Sequence, residues 1–265
     1  MNKIEKDKQE MIYGIRPLME AIDAGKEIEK VLVQKGLRGE LFKDLLKLLK
    51  DRAIPNQFVP IEKLNRLSRK NHQGVISFVS PISFFRIEDI LPSVFESGKD
   101  PFFLIIDRVT DVRNFGAILR TAEAAGVHAV IIPSRNTAQL NSGTIKSSAG
   151  AIYKIPICRS ENLKVTINYL KGSGIKIVAA TEKATVSLYQ SSLLGPLALI
   201  MGSEGEGVSG EYLKQSDLHF SIPMLGEIDS LNVSVATGIV LFEAVRQNQE
   251  AEKNSGHNNR SLVFC

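Results

Sequence analysis

Cysteine is scarce in this chain of 265 residues, which has only Cys158 and Cys265. They lie far apart with no C-x-x-C spacing, which argues against both a thiolate metal knot and a disulfide scaffold. The four histidines, His72, His128, His219 and His257, never fall at metal-ligand spacing, so no metal is expected. No apolar run approaches the ~20 residues of a membrane-spanning helix, so no membrane partner is expected. The polar start "MNKIEKDKQE" lacks the apolar stretch of a secretory signal and reads as a flexible leader over residues 1–10. Internal repeats are absent as well. What remains is a chain with 43% hydrophobic and 23% charged residues, the balance of a packed core. A reducing, cytoplasmic compartment fits it best, with Cys158 a buried thiol inside "YKIPIC" and Cys265 exposed at the terminus.

The net charge of +4 is unevenly spread. Lys26 to Lys70 holds 12 Lys and Arg against 6 Asp and Glu, a local +6, which leaves about −2 for the rest. A basic block beside a near-neutral remainder suits a polyanion touched mainly by one end. The same lysines also suit a solvated helix face, since Lys43, Lys47 and Lys50 oppose Phe42, Leu45, Leu46 and Leu49.

Residues 11–80 alternate helix and strand signals. "GIRPLMEAIDAG" and "GELFKDLLKLLKDRA" have helical spacing, "KVLVQ" and "GVISFVS" strand character, and together they make a small α/β domain. Periodicity fades from Pro81 to Pro101, where a linker is expected. Residues 102–248 then alternate continuously apolar strands ("FFLIIDRV", "HAVIIP", "IKIVAAT", "LALIMG") with helices. That pattern predicts a parallel α/β sheet covered on both faces. The Asn-, Ser- and Gly-rich residues 249–265 read as a disordered tail.

In such sheets ligands bind beyond the C-terminal strand ends, and three polar segments gather there. "NFGAILRTAEAAG" (Asn114 to Gly126) follows the first strand, "GSEGEG" follows "LALIM", and "LGEIDSLN" follows "HFSIPM". Six of the chain's 20 glycines lie in or beside these segments: Gly116, Gly202, Gly205, Gly207, Gly210 and Gly226. Gly205, Gly207 and Gly210 spell G-x-G-x-x-G, the dinucleotide fingerprint. Its position about 100 residues into the domain, the carboxylates Glu204 and Glu206, and the short following helix all argue against a pyrophosphate site.

Within the first segment Ile118, Ala122 and Ala125 recur at i, i+4, i+7 as a buried stripe. Arg120 lies about 200° round the helix from Ile118, facing away from it. It is either a solvated residue paired with Glu123 or a functional arginine.

Taken in order, "NFGAILRTAEAAG", "LIMGSEGEGVS" and "IPMLGEIDSLNVSVATG" resemble the three motifs of the SpoU (TrmH) branch of the SPOUT RNA ribose 2′-O-methyltransferases. "YGIRPLMEAI" and "HQGVISFVSP" resemble the small L30e-like substrate-binding domain carried by the 23S rRNA guanosine 2′-O-methyltransferase subgroup. The resemblance spans nearly all of the chain apart from leader, linker and tail. It implies a SPOUT domain with a C-terminal trefoil knot, S-adenosylmethionine as cofactor, an RNA substrate (rRNA foremost) and a homodimer.

Carried onto this sequence, the resemblance implies a catalytic set of Asn114, Arg120, Glu204, Ser230 and Asn232. Cofactor contacts would come from Gly202, Ile222 and Leu231, with Thr181 a softer candidate. A ribose 2′-OH is a weak acid that must be aimed at the sulfonium methyl and relieved of its proton. The family assigns Arg120 to activating it, yet a guanidinium with pKa above ~12 is rarely a base. Gripping a phosphate or the developing oxyanion is the other role open to it. Ser230 and Asn232, just before the last helix, also suit plain capping. Two alternatives stand beside the rRNA reading: a tRNA ribose methyltransferase, and an RNA-binding protein of the same fold without activity.

Overall fold

A computed structural model describes residues 10–227 and 230–254. The expected leader apart from Glu10, and residues 255–265 of the expected tail with His257 and Cys265, lie outside the described residues. The chain divides into two compact units, one ending at Phe84 and also taking in Gln139–Lys146, the other made of the remainder.

The first unit holds β1 (Met11–Tyr13), α1 (Ile15–Asp23), β2 (Ile28–Gln34), α2 (Glu40–Asp51), β3 (Asn56–Val59), α3 (Ile61–Leu67) and β4 (Val75–Val79). Its four strands lie in the order β1-β4-β2-β3. Alternation along β2 sends Val31 and Val33 to one face and Leu32 to the other. On the first face they meet Leu18 and Ile22 of α1 with Leu45 and Leu49 of α2. On the second, Leu32 packs with Leu64 of α3 and with Ile76 and Phe78.

The second unit opens with α4 (Ile87–Glu96), within the segment expected to be a linker. Ile87, Leu91 and Val94, at i, i+4, i+7, are buried in the core of this unit. Pro92 inside the helix, and the polar residues around it, hide that stripe from a reading by punctuation. The linker expectation is corrected accordingly.

There follow β5 (Phe102–Ile106), α5 (Val112–Ala124), β6 (Ala129–Pro133), β7 (Ile157–Ser160), α7 (Leu163–Gly172), β8 (Lys176–Ala180), β9 (Leu197–Met201), α8 (Gly210–Gln215), β10 (Leu218–Phe220) and α9 (Val233–Asn254), while α6 (Ser142–Ser147), between β6 and β7 in the chain, belongs to the first unit but for its last residue. Six parallel strands run in the order β10-β8-β9-β5-β6-β7. From β5 the chain steps out through β6 and β7, then returns to build β8, β9 and β10 on the other side. This reversal places the ligand-binding crevice of an open α/β sheet beside β5. Phe103, Leu104, Ile105 and Ile106 of β5 are fully buried, which explains their unbroken apolar run.

Helix α9 continues to Asn254, so residues 249–254 are helical and not a disordered tail. Its later turns are anchored by amides. Gln247 accepts from Leu193 N at 2.8 Å and donates to Ser191 O at 2.9 Å. Asn248 donates to Leu193 O at 3.0 Å and accepts from Gly195 N at 3.2 Å. Those bonds let polar residues extend the helix where hydropathy alone signals its end.

Among the described residues no helix is long and apolar enough to cross a membrane, and no cluster of His, Cys, Asp and Glu could hold a metal ion. Each described histidine has a structural partner. The His72 ring meets Asn65 Oδ1 at 3.0 Å, His128 accepts from Phe102 N at 3.1 Å, and His219 meets Leu213 O at 2.7 Å. Cys158 is a buried free thiol, pushed up to about 12 by burial with Glu88 and Asp89 nearby.

Candidate active site

Three strand ends deliver the site. The chain beyond β8 brings Thr181, beyond β9 Gly202 and Glu204, and beyond β10 Ile222. All four line one cavity of about 810 Å³, together with Ser230 and Leu231. The volume falls within the ~300–1,000 Å³ of small-molecule sites. The four residues expected to hold a cofactor are thus brought together, along with two of the five expected to be catalytic.

The other strand end that matters belongs to β5. Asp111 caps α5, its carboxylate accepting from Arg113 N and Asn114 N, both at 2.9 Å. The Asn114 amide, opposed in part by desolvation, holds that carboxyl below its usual range. Capping fixes the first turn of α5, and with it the Asn114 side chain.

Asn114 Nδ2 donates to Glu204 Oε1 at 2.9 Å. Asn232 Nδ2 donates to Asn114 Oδ1 at 3.1 Å and also to Glu204 Oε1. Asn232 Oδ1 meanwhile accepts from Ser234 N at 3.0 Å and Val235 N at 3.4 Å, capping α9. The oxygen of the Asn232 amide therefore caps the helix, while its nitrogen joins Asn114 and Glu204. Glu204 Oε1 further accepts from Val233 N at 3.4 Å, so its negative charge sits at the amino end of a long helix. One residue from each of the three motifs meets in this hydrogen-bonded cluster.

Arg120 stands apart from it. It is exposed on α5, while Ile118, Leu119 and Ala122 are fully buried, and it does not line the cavity. Glu123, its candidate surface partner, is instead 3.9 Å from Lys154 Nζ. Among the described residues Arg120 has no hydrogen-bond or ion-pair partner. It lies six positions after Asn114, roughly 120° round the helix.

Two glycines are explained by close approach. A Cβ on Gly116 would lie 1.9 Å from Ser147 Oγ, which donates to Val112 O at 3.1 Å. A Cβ on Gly202 would lie 2.0 Å from the Gly207 carbonyl carbon. Both bring backbones together that any side chain would part.

Asp107 and Arg108 escaped the sequence reading. The Asp107 carboxylate is buried and accepts from both Ser209 N at 2.7 Å and Ser209 Oγ at 2.6 Å. Arg108 reaches Glu206 and Gly207 O. The signal was a charged pair placed directly after the apolar run "FFLII". Glu182 of the cavity wall was also missed, and lies opposite Gly207.

Residues 101–242 match the SpoU rRNA Methylase family, and residues 11–85 match the RNA 2'-O ribose methyltransferase substrate binding family. A 23S rRNA (guanosine-2'-O-)-methyltransferase of Escherichia coli is 44% identical over 245 residues, covering 90% of this chain and 98% of that protein. The crystal structure of an AdoMet bound rRNA methyltransferase from Sinorhizobium meliloti superimposes with a TM-score of 0.57 at 27% identity, covering 89% of this chain and 86% of that one. A TrmH/SpoU tRNA modifying enzyme of A. aeolicus has a TM-score of 0.54 at 32% identity, covering 64% of this chain and 87% of its own.

Proposed function

This chain belongs to the SpoU rRNA methylase family, and on that premise we infer that it methylates a ribose 2′-hydroxyl of RNA, a guanosine of 23S rRNA, with S-adenosylmethionine as donor. The carrying observation is the Asn114–Glu204–Asn232 cluster beside the glycine-lined cavity. The cavity fits the donor chemically. Met201, Ile222 and Leu231 offer apolar surface for an adenosine, Thr181 a hydroxyl, and Glu182 and Glu204 negative charge towards a cation. When bound, the donor supplies a sulfonium-activated methyl and its own leaving group.

The chain's residues do the rest. Asn114 and Asn232, locked to Glu204 and to each other, orient the ribose. Glu204, held by both amides and by Val233 N, keeps the glycine loop and the start of α9 in one register. Arg120 grips the target phosphate or the 2′-oxygen and stabilises negative charge there as the hydroxyl proton passes to solvent. Ser230, on the cavity wall, offers a hydroxyl to the same oxygen.

A homodimer completes this reading. Val235 and Phe242 of α9 are 51% and 49% exposed, with half-buried Ile239 between them on the same face, an apolar stripe that wants cover. Arg120, outside its own cavity, would then serve the site of the other subunit. The trefoil knot belongs to the same reading and would lie in the chain between Gly202 and Asn232. Residues 11–80 would hold the RNA, the second match lying there. The reducing cytoplasm suits the free thiol of Cys158.

Labelled S-adenosylmethionine offered with rRNA and with tRNA tests the assignment. Label is expected in 23S rRNA; label in tRNA alone would move the chain to the tRNA enzymes. No label in either RNA, with S-adenosylmethionine still bound, would favour an inactive RNA-binding protein.

A further inference from the structure

We propose that Arg108 is a positioning residue for the methyl donor, clamping the glycine loop after β9 to the end of β5 and so setting how tightly the cavity holds its ligand. The inference rests on reading that cavity as the S-adenosylmethionine site.

Arg108 has φ +60°, in the left-handed region that a residue with a Cβ enters only against steric resistance. Such strain persists where surrounding contacts over-determine the conformation, and it gathers at functional sites. Here the contacts are three. Arg108 Nε donates to Asp107 Oδ1 at 3.1 Å, Nη1 to the Glu206 carboxylate, and Nη2 to Gly207 O at 3.3 Å. The neighbouring Asp107, 1% exposed, holds Ser209 through its other oxygen. Two consecutive residues of one strand end therefore fasten the loop at Glu206, Gly207 and Ser209.

The fastened loop is the one that needs it. Gly205 and Gly207 line the cavity, and glycine loses more freedom on ordering than any other residue. A loop ordered before the ligand arrives spares binding that loss. The buried Asp107 carboxylate keeps both Ser209 bonds on one oxygen and meets Arg108 with the other, so it ties the arginine to the same loop. A lysine would offer its three donors from a single nitrogen, whereas the three acceptors here are met by the three spread nitrogens of one planar fork. Arg108 lines no part of the cavity, so it acts through the loop and not on the reacting atoms.

The test uses the full-length protein, titrated calorimetrically with S-adenosylmethionine and assayed on rRNA. Arg108→Gly removes the clamp while letting the backbone keep its left-handed turn, so the melting temperature should not collapse. The expected result is a Kd and KM for the donor raised roughly fivefold to tenfold, with kcat at saturating donor within about twofold of the parent. Glu206→Gln weakens one arm only, by removing the charge of a side chain 74% exposed, and should raise Kd less and in the same direction. Unchanged Kd in both variants would overturn the proposal. So would a fall in kcat at constant KM, which would place Arg108 in the chemistry. Collapse of the Arg108→Gly melting temperature with Glu206→Gln binding normally would make the residue structural only. Failure of the parent protein to bind S-adenosylmethionine would instead remove the reading of the cavity on which the proposal stands.

Discussion

Replacing Gly202 by alanine adds one methyl group at the floor of the cavity, and the structure says what it meets. The new Cβ would lie 2.0 Å from Gly207 C, 2.2 Å from Gly207 O and 2.2 Å from Val208 N, whereas ordinary contact begins at 3.4 Å. All three are backbone atoms, so no side-chain rotation relieves the clash. The backbone of Gly202 itself is in a region open to alanine, which isolates close approach as the cause. The loop must retreat or the end of β9 must bend. Overpacking of this kind costs about 1–3 kcal/mol. If the cost falls on the cavity, affinity for S-adenosylmethionine drops between about fivefold and about 150-fold, at ~1.4 kcal/mol per factor of ten. Calorimetric titration reads the affinity, and thermal unfolding of the free protein reads any share taken by the fold. A Gly202→Ala protein with parental affinity and parental melting temperature would refute the reasoning.

Arg120→Ala should abolish methyl transfer while leaving donor affinity within about twofold, since Arg120 lies outside the cavity; a large loss of donor binding in the same titration would contradict that. Lys63, Arg66, Arg69 and Lys70, all exposed on and after α3, should contribute to the salt dependence of rRNA binding. Changing them together to glutamine should flatten the slope of log K against log salt by up to ~0.9 for each phosphate no longer neutralised, and an unchanged slope would exclude this face. His128 is pushed below its ordinary range by burial and by nearby Lys99. Its folded-state value lies below the unfolded one, so its contribution is present above pH ~6.5 and lost as pH falls through the folded value. Melting temperature should therefore drop between pH ~7.5 and ~5 more steeply in the parent than in His128→Gln, and parallel curves would refute the assignment.

Much of the site was readable because motif order and strand order coincide. The segments following β5, β9 and β10 carried Asn114, Glu204 and Asn232, and the parallel sheet brings strand ends together wherever they lie in the sequence. The two-sided use of Asn232 was not readable, because capping and catalysis ask for the same residue at the same place. Asp107 and Arg108 were missed since their partners, Glu206, Gly207 and Ser209, lie about 100 residues away. Nothing local marks a left-handed arginine. Helix α4 was hidden by Pro92, and the end of α9 by amides whose value depends on a distant loop. Strand β1 was not readable because three residues are too few to show a period, and only pairing with β4 defines it.

The activity proposed for this chain is transfer of a methyl group to a ribose 2′-oxygen of 23S rRNA. The most direct measurement is mass spectrometry of 23S rRNA after incubation with the purified protein and deuterated S-adenosylmethionine, digested to nucleosides and to alkali-resistant dinucleotides. The deuterated methyl is expected in 2′-O-methylguanosine within a dinucleotide that alkali does not cleave, present with the parent protein and absent with Arg120→Ala. A labelled methyl on a base, or an unlabelled ribose beside full binding of donor and rRNA, would contradict it.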